Sequence, residues 1–91
     1  MTTVRIPTPL RTYTQGAAEV DVAGATVREI LSALEQQFPG LGPKLVDEKG
    51  AVRRYVNIFV DDEDIRFLQG ADTPVTPSNK ISVIPAIAGG H

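Results

Sequence analysis

The sequence predicts an α+β domain in which four to five strands form a sheet and one main helix covers one of its faces. Three observations carry this expectation. Apolar and polar residues alternate with a period of two in several short stretches, around Val4, Val20, Val56 and Ile81. Only one stretch, beginning at Thr26, has the 3.6-residue apolar period of an amphipathic helix together with a start signal. The order is two strands, the helix, then three short strands, a segregation typical of α+β architecture rather than of alternating βα units.

Taken in order, Val4 and Ile6 alternate with Thr3 and Arg5 until Pro7 removes an amide donor, which describes a short half-buried strand. Thr8-Pro9-Leu10-Arg11 is expected to be loop or strand edge. Thr14-Gln15-Gly16 supplies turn residues, and Glu19-Val20-Asp21-Val22 alternates again, so a hairpin is expected with Val20 and Val22 inward. At Thr26-Val27-Arg28-Glu29 a capping box is predicted, with Thr26 accepting from the Glu29 amide and the Glu29 side chain returning to the Thr26 amide. Val27, Ile30, Leu31, Leu34 and Phe38 then form a stripe, with Arg28, Glu29, Ser32, Glu35 and Gln36 outside it, until Pro39-Gly40 ends the helix.

Gly42-Pro43 and Lys49-Gly50 break the next segment, although Leu41, Leu45 and Val46 suit one turn of helix tucked under the sheet. Arg54 to Val60 is the strongest strand, with Val56, Ile58 and Val60 on the core face and Tyr55, Asn57 and Phe59 on the other. The second set is too aromatic for an idle solvent face, so Tyr55 and Phe59 are candidate partner-docking residues. Arg53-Arg54 reads either as solvated charge where the strand begins or as a contact for an acidic partner. Asp61-Asp62-Glu63-Asp64 raises a metal hypothesis, but it lacks the spaced ligands and glycine of a calcium loop and fits an Asp-rich hairpin turn. Ile65-Arg66-Phe67 is expected to return as a strand, and Lys80 to Ile84 to form the last one, with Ile81 and Val83 inward.

The totals narrow the function. At 91 residues the chain fits one domain, residues 1–85, followed by a flexible tail, residues 86–91. The absence of cysteine removes disulfides, thiolate metal sites and a cysteine nucleophile, so any sulfur must come from elsewhere. A net charge of -2 leaves no electrostatic footprint for nucleic acid. With no apolar run of about 20 residues and no signal-peptide pattern, a cytoplasmic protein that avoids membranes is expected. The glycines of Gly89-Gly90 follow a strand but open no helix, and there is no phosphate-cradling loop, so this chain is expected to bind no cofactor.

These residues resemble the MoaD/ThiS family of ubiquitin-like sulfur carrier proteins. The likeness runs from Val4-Arg5-Ile6-Pro7 and Leu10-Arg11, through the Thr26-capped helix ending at Phe38-Pro39-Gly40, to Asn57-Ile58-Phe59-Val60 and Asp62-Glu63-Asp64-Ile65-Arg66-Phe67. It finishes in Val83-Ile84-Pro85-Ala86-Ile87-Ala88-Gly89-Gly90. The Pro-Ala-Ile-Ala-Gly-Gly ending and the arginine after the acidic turn are most like CysO-type carriers of protein-dependent cysteine synthesis.

The resemblance implies a β-grasp fold with a mixed sheet whose first and last strands lie parallel at its centre. It implies that Gly90 is adenylated by an E1-like enzyme that binds the ATP, is converted to a thiocarboxylate, and passes sulfur to an acceptor synthase. The acceptor is of cysteine, molybdopterin, thiamin-thiazole or thiosugar type. On this reading the chain is a protein substrate, not an enzyme. Two alternatives share the same chemistry: a modifier joined through Gly90 to lysine amines, and the small subunit of a molybdopterin-synthase-like complex.

The mechanics of the tail suit that role. If extended, Ala86, Ile87, Ala88, Gly89 and Gly90 reach about 17 Å at 3.3 to 3.6 Å per residue, far enough to thread into a partner's active site. Small side chains keep the thread narrow, and glycine admits close approach to the carboxylate. His91 departs from the family pattern, which ends at the second glycine. It is expected to be removed by a protease, such as a metalloprotease partner that trims the tail, unless it is left from a polyhistidine tag or marks a blocked form.

Overall fold

Thr2–Arg5 (β1), Glu19–Val22 (β2), Val56–Val60 (β3), Glu63–Asp64 (β4) and Lys80–Pro85 (β5) assemble into one sheet in the order β2-β1-β5-β3-β4. This arrangement is that of a computed structural model, which describes residues 1–85. The expectations for Ala86, Ile87, Ala88, Gly89, Gly90 and His91 lie outside the described residues. β1 and β5 run parallel, with Val4 beside Ile81, and every other neighbouring pair is antiparallel. The sheet is therefore mixed, five-stranded and centred on the first and last strands, as the family resemblance implies.

One face of the sheet is closed by the helix Val27–Gln37 (α1). Val4, Ile58 and Ile81 from the sheet meet Ile30 and Leu34 from α1, all essentially without solvent exposure. Full burial of such a side chain is worth roughly 1.5–3 kcal/mol. The period-two and 3.6-residue patterns thus converge on one core, since each places its apolar residues on a single face.

The helix begins as the sequence predicts, with one displacement. Thr26 Oγ1 accepts from the Glu29 amide at 3.2 Å, but the Glu29 carboxylate accepts from the Ala25 amide at 2.9 Å rather than from Thr26. Residues 25–27 are fixed against the segment before β5, where Val27 N–H donates to Thr73 O and Val75 N–H donates to Ala25 O. That bridge leaves the Ala25 amide as the donor facing Glu29. Just before it, a Cβ on Gly24 would lie 2.9 Å from the Ile30 amide nitrogen, so the chain leaving β2 passes too close to α1 for any side chain.

A short helix, Gly42–Leu45 (α2), follows, and Leu41 and Leu45 are buried beneath the sheet as expected. Glu35 is not an idle outer residue of α1. Its Oε1 accepts from the Gly42 amide at 2.7 Å, and a Cβ on Gly42 would collide with that same carboxylate.

Two expectations are corrected. Thr8–Thr14 is a 3₁₀ turn rather than loop or strand edge. Pro9 favours its start, Thr14 Oγ1 reaches the Arg11 and Ala17 carbonyls, and left-handed Gln15 and Gly16 end it. Val20 lies on the same side as Val22, as expected, and is half-buried against the core cluster. Likewise Ile65–Phe67 is a 3₁₀ turn, not a return strand. Asp64 accepts from the Arg66 amide at 2.8 Å, a local bond that competes with ladder formation and stops β4 after two residues.

The acidic run does form the hairpin turn. Asp61 takes the left-handed conformation, and its carboxylate accepts from the Lys80 amide and the Asn79 side-chain amide. Among the described residues, no group of three or more His, Cys, Asp or Glu is placed to hold a metal ion.

Candidate functional site

The strand that feeds the tail is held on both sides. β5 pairs with β1 along Lys80–Ser82 and with β3 along Ile81–Pro85, so its last residue, Pro85, sits opposite Val56 at the start of β3. Whatever follows Pro85 leaves from the middle of the sheet rather than from an edge.

Around that exit the face of the sheet away from α1 is apolar. Phe59 sits opposite Ser82, and Asn57 sits opposite Ile84, which makes Phe59 and Ile84 diagonal neighbours on one surface. Phe59 is half-buried and is not packed against the core cluster. Ile84 and Tyr55 are each 50% exposed. The expected division of β3 into core and open faces is therefore what the structure has, with Tyr55 one residue before the strand.

The far half of the same face is polar, and four of its side chains are paired with each other. Thr3 Oγ1 donates to Asp21 at 2.7 Å, and the Lys80 ammonium pairs with Glu19 at 3.0 Å. Polar groups already engaged with each other leave little to offer a partner. The apolar half, adjoining the exit of the chain, is the candidate docking surface.

Sequence reasoning passed over Ile84 and Phe67. The signal for Ile84 was available, since Ile81 and Val83 inward force an isoleucine outward two residues before the small-residue tail. Phe67 was assigned to a strand; in the 3₁₀ turn it is 85% exposed, the most exposed large apolar residue described. A groove of about 610 Å³ between α1 and the Gly42–Arg53 segment contains neither Tyr55 nor Phe59. A second hollow, of about 350 Å³, opens where β3 begins. No helix among the described residues is long and apolar enough to cross a membrane.

Chemically, this surface offers contact area and a guided strand end rather than a set of reacting groups. A mixed five-stranded sheet with parallel central strands and one covering helix defines the class: a ubiquitin-like β-grasp protein. The model of the ThiS family matches residues 4–90, and the chain belongs to that family of sulfur carriers. Within it the chain is CysO-like. It is 40% identical over 90 residues to the sulfur carrier protein CysO of Mycobacterium tuberculosis, covering 97% of each chain. A chain of the crystallised BexX/CysO complex of Amycolatopsis orientalis superposes with a TM-score of 0.92 at 41% identity, covering 99% of this chain and 100% of that one. The chain is also 33% identical over 66 residues to small archaeal modifier protein 3 of Haloferax volcanii, covering 72% of this chain and 71% of the modifier.

Proposed function

We propose that this protein carries sulfur on the carboxyl group of Gly90. In the first step a carboxylate oxygen of Gly90 attacks the α-phosphorus of ATP held by an E1-like partner, and pyrophosphate leaves. A reduced sulfur nucleophile then attacks the carbonyl carbon, AMP leaves, and a thiocarboxylate remains. A free carboxylate, with a pKa near 3.3 to 3.7, is an anion at neutral pH and a poor electrophile, so activation is chemically required. The thiocarboxylate sulfur finally attacks an activated acceptor in a synthase. Acceptors of cysteine, molybdopterin, thiamin-thiazole or thiosugar type all fit this chemistry, and CysO-like membership favours the cysteine type.

The observation that carries this reading is the family match extending through Gly90, on a body whose last strand in sequence, β5, lies at the centre of the sheet. The chain acts as substrate and donor, the partner binding the ATP. Phe59, Ile84 and Tyr55 dock the partner, while Ala86, Ile87, Ala88 and Gly89 thread into its active site. A side chain beyond Gly90 would put the wrong carboxylate at the end, so the form ending at Gly90 is the competent one and His91 must be removed, by a tail-trimming metalloprotease if it is native.

The test is intact-mass spectrometry after incubation with an activating enzyme, ATP and sulfide. The form ending at Gly90 is expected to gain one oxygen-to-sulfur replacement, and the form retaining His91 to gain none. Sulfur on the His91 form would refute the processing requirement, and sulfur on neither form would refute the carrier reading. The likeness to an archaeal modifier motivates a second reading, conjugation through Gly90 to lysine amines. It predicts reductant-resistant adducts on other proteins, which a thiocarboxylate alone does not give.

A further inference from the structure

One row of opposed residues crosses all five strands on the face away from α1. Glu19 lies opposite Arg5, Arg5 opposite Ser82, Ser82 opposite Phe59, and Phe59 opposite Asp64. Val4 and Ile81 are buried against α1, so strand alternation turns Arg5 and Ser82 to the open side with Phe59. Arg5 and Phe59 are therefore two strand spacings apart, about 10 Å at 4.7–4.9 Å per strand. Between them stands half-buried Ser82, the smallest side chain of the row, with Ile84 two residues further along β5 on the same face.

The row ends in a carboxylate at each edge, and neither engages Arg5. Glu19, directly across from it, pairs with the Lys80 ammonium at 3.0 Å. Asp64 lies 3.4 Å from the Arg66 side chain and accepts from the Arg66 amide at 2.8 Å. Asp21, the other acid of β2, accepts from Thr3 at 2.7 Å. Arg5 is exposed and belongs to none of the ion pairs found among the described residues. A cation without a counter-ion thus stands at the border of the apolar half, separated from Phe59 by a low serine saddle. A guanidinium is always charged and presents a planar fork of donors. Beside apolar surface that a partner would dry, its pairing is worth more than out in solvent.

We propose that Arg5 is a specificity-determining residue for partner docking: it receives a carboxylate that the partner presents over Ser82, beside an apolar side chain seated on Phe59 and Ile84. This rests on the reading that the apolar half docks the partner. Apolar contact supplies area but little discrimination, since many apolar patches can cover it. The guanidinium discriminates, because a partner bringing a neutral or basic group to the same place leaves it desolvated and unpaired. The Ser82 hydroxyl supplies a further donor on the floor of the saddle. A carboxylate, with two acceptor oxygens, answers both donors and matches the guanidinium in a two-point contact. The partner surface that fits is therefore an apolar patch with one acidic residue set into it.

The test is calorimetric titration of the full chain with the E1-like enzyme that activates it, at low and at high salt. Arg5→Ala is expected to weaken binding about tenfold and to flatten its salt dependence, whereas Phe59→Ala weakens binding and leaves the salt dependence in place. Arg5→Lys should keep the salt dependence with a smaller loss, and Arg5→Glu should cost about a hundredfold. Lys49→Glu, which makes the same charge change on the Asp47–Gly50 turn, should leave affinity unchanged. Thermal unfolding of each variant separates lost binding from lost folding. If Phe59→Ala weakens binding and Arg5→Glu does not, the role of Arg5 is overturned and the docking surface stands. An equal loss from Lys49→Glu would reduce the effect to net charge and also overturn it. Phe59→Ala without effect would overturn the docking surface on which the inference rests.

Discussion

The two faces of the sheet are built on opposite terms. Towards α1, β1, β2, β3 and β5 contribute aliphatic side chains that lock into one cluster, and Val4, Ile58 and Ile81 have almost no exposure. Away from it, the face is split between a polar half with the pairs Thr3–Asp21 and Lys80–Glu19, and an apolar half around Phe59 and Ile84. The closed face fixes where the strands go, and the open one is free to be chosen for contact. Stability and recognition are thus written on alternate residues of the same strands.

That separation breaks first, and most severely, if a residue of the closed face is truncated. Leu34→Ala is expected to cost about 2–5 kcal/mol in chemical denaturation, because a fully buried Leu leaves a cavity as well as lost burial. Next in size, Phe59→Ala or Ile84→Ala should weaken association with the activating or acceptor enzyme by about tenfold, near 1.4 kcal/mol, as read by calorimetry. A loss of folding stability from Phe59→Ala as large as that from Leu34→Ala would show that the two faces are not separate.

The smaller effects sharpen the same contrast. Thr26→Ala removes the acceptor for the Glu29 amide and should cost about 1 kcal/mol of thermal stability without touching association. Glu19→Gln breaks an ion pair whose side chains are each about half exposed, and is expected to change stability by less than about 0.5 kcal/mol. A large effect of Glu19→Gln on partner binding would move the docking surface to the polar half.

Much of this was legible in the sequence wherever side-chain period and local chemistry agree. The α1 stripe, its Thr26 cap, the two faces of β3 and the inward pair Ile81 and Val83 are all periodic features, and the fold places them as read. The failures have a common cause. At Thr8–Thr14 there is no period to read, and at Ile65–Phe67 a strand-like alternation is overridden by the bond from Asp64 to the Arg66 amide. Glu35 looked solvated because its partner, the Gly42 amide, is supplied by the turn that reverses the chain. On the open face, Phe59 was legible by alternation, and Ile84 was overlooked although the same rule exposes it.

The position of β5 also has a mechanical consequence. An enzyme that draws in the residues after Pro85 pulls along the axis of a strand gripped on both flanks, by β1 and by β3. Such traction loads the ladder bonds side by side, in shear, so several must fail together before the strand slides. An edge strand, pulled away from a single neighbour, would peel one bond at a time. The body can therefore serve as a firm handle, bearing tension while the residues beyond it are worked on.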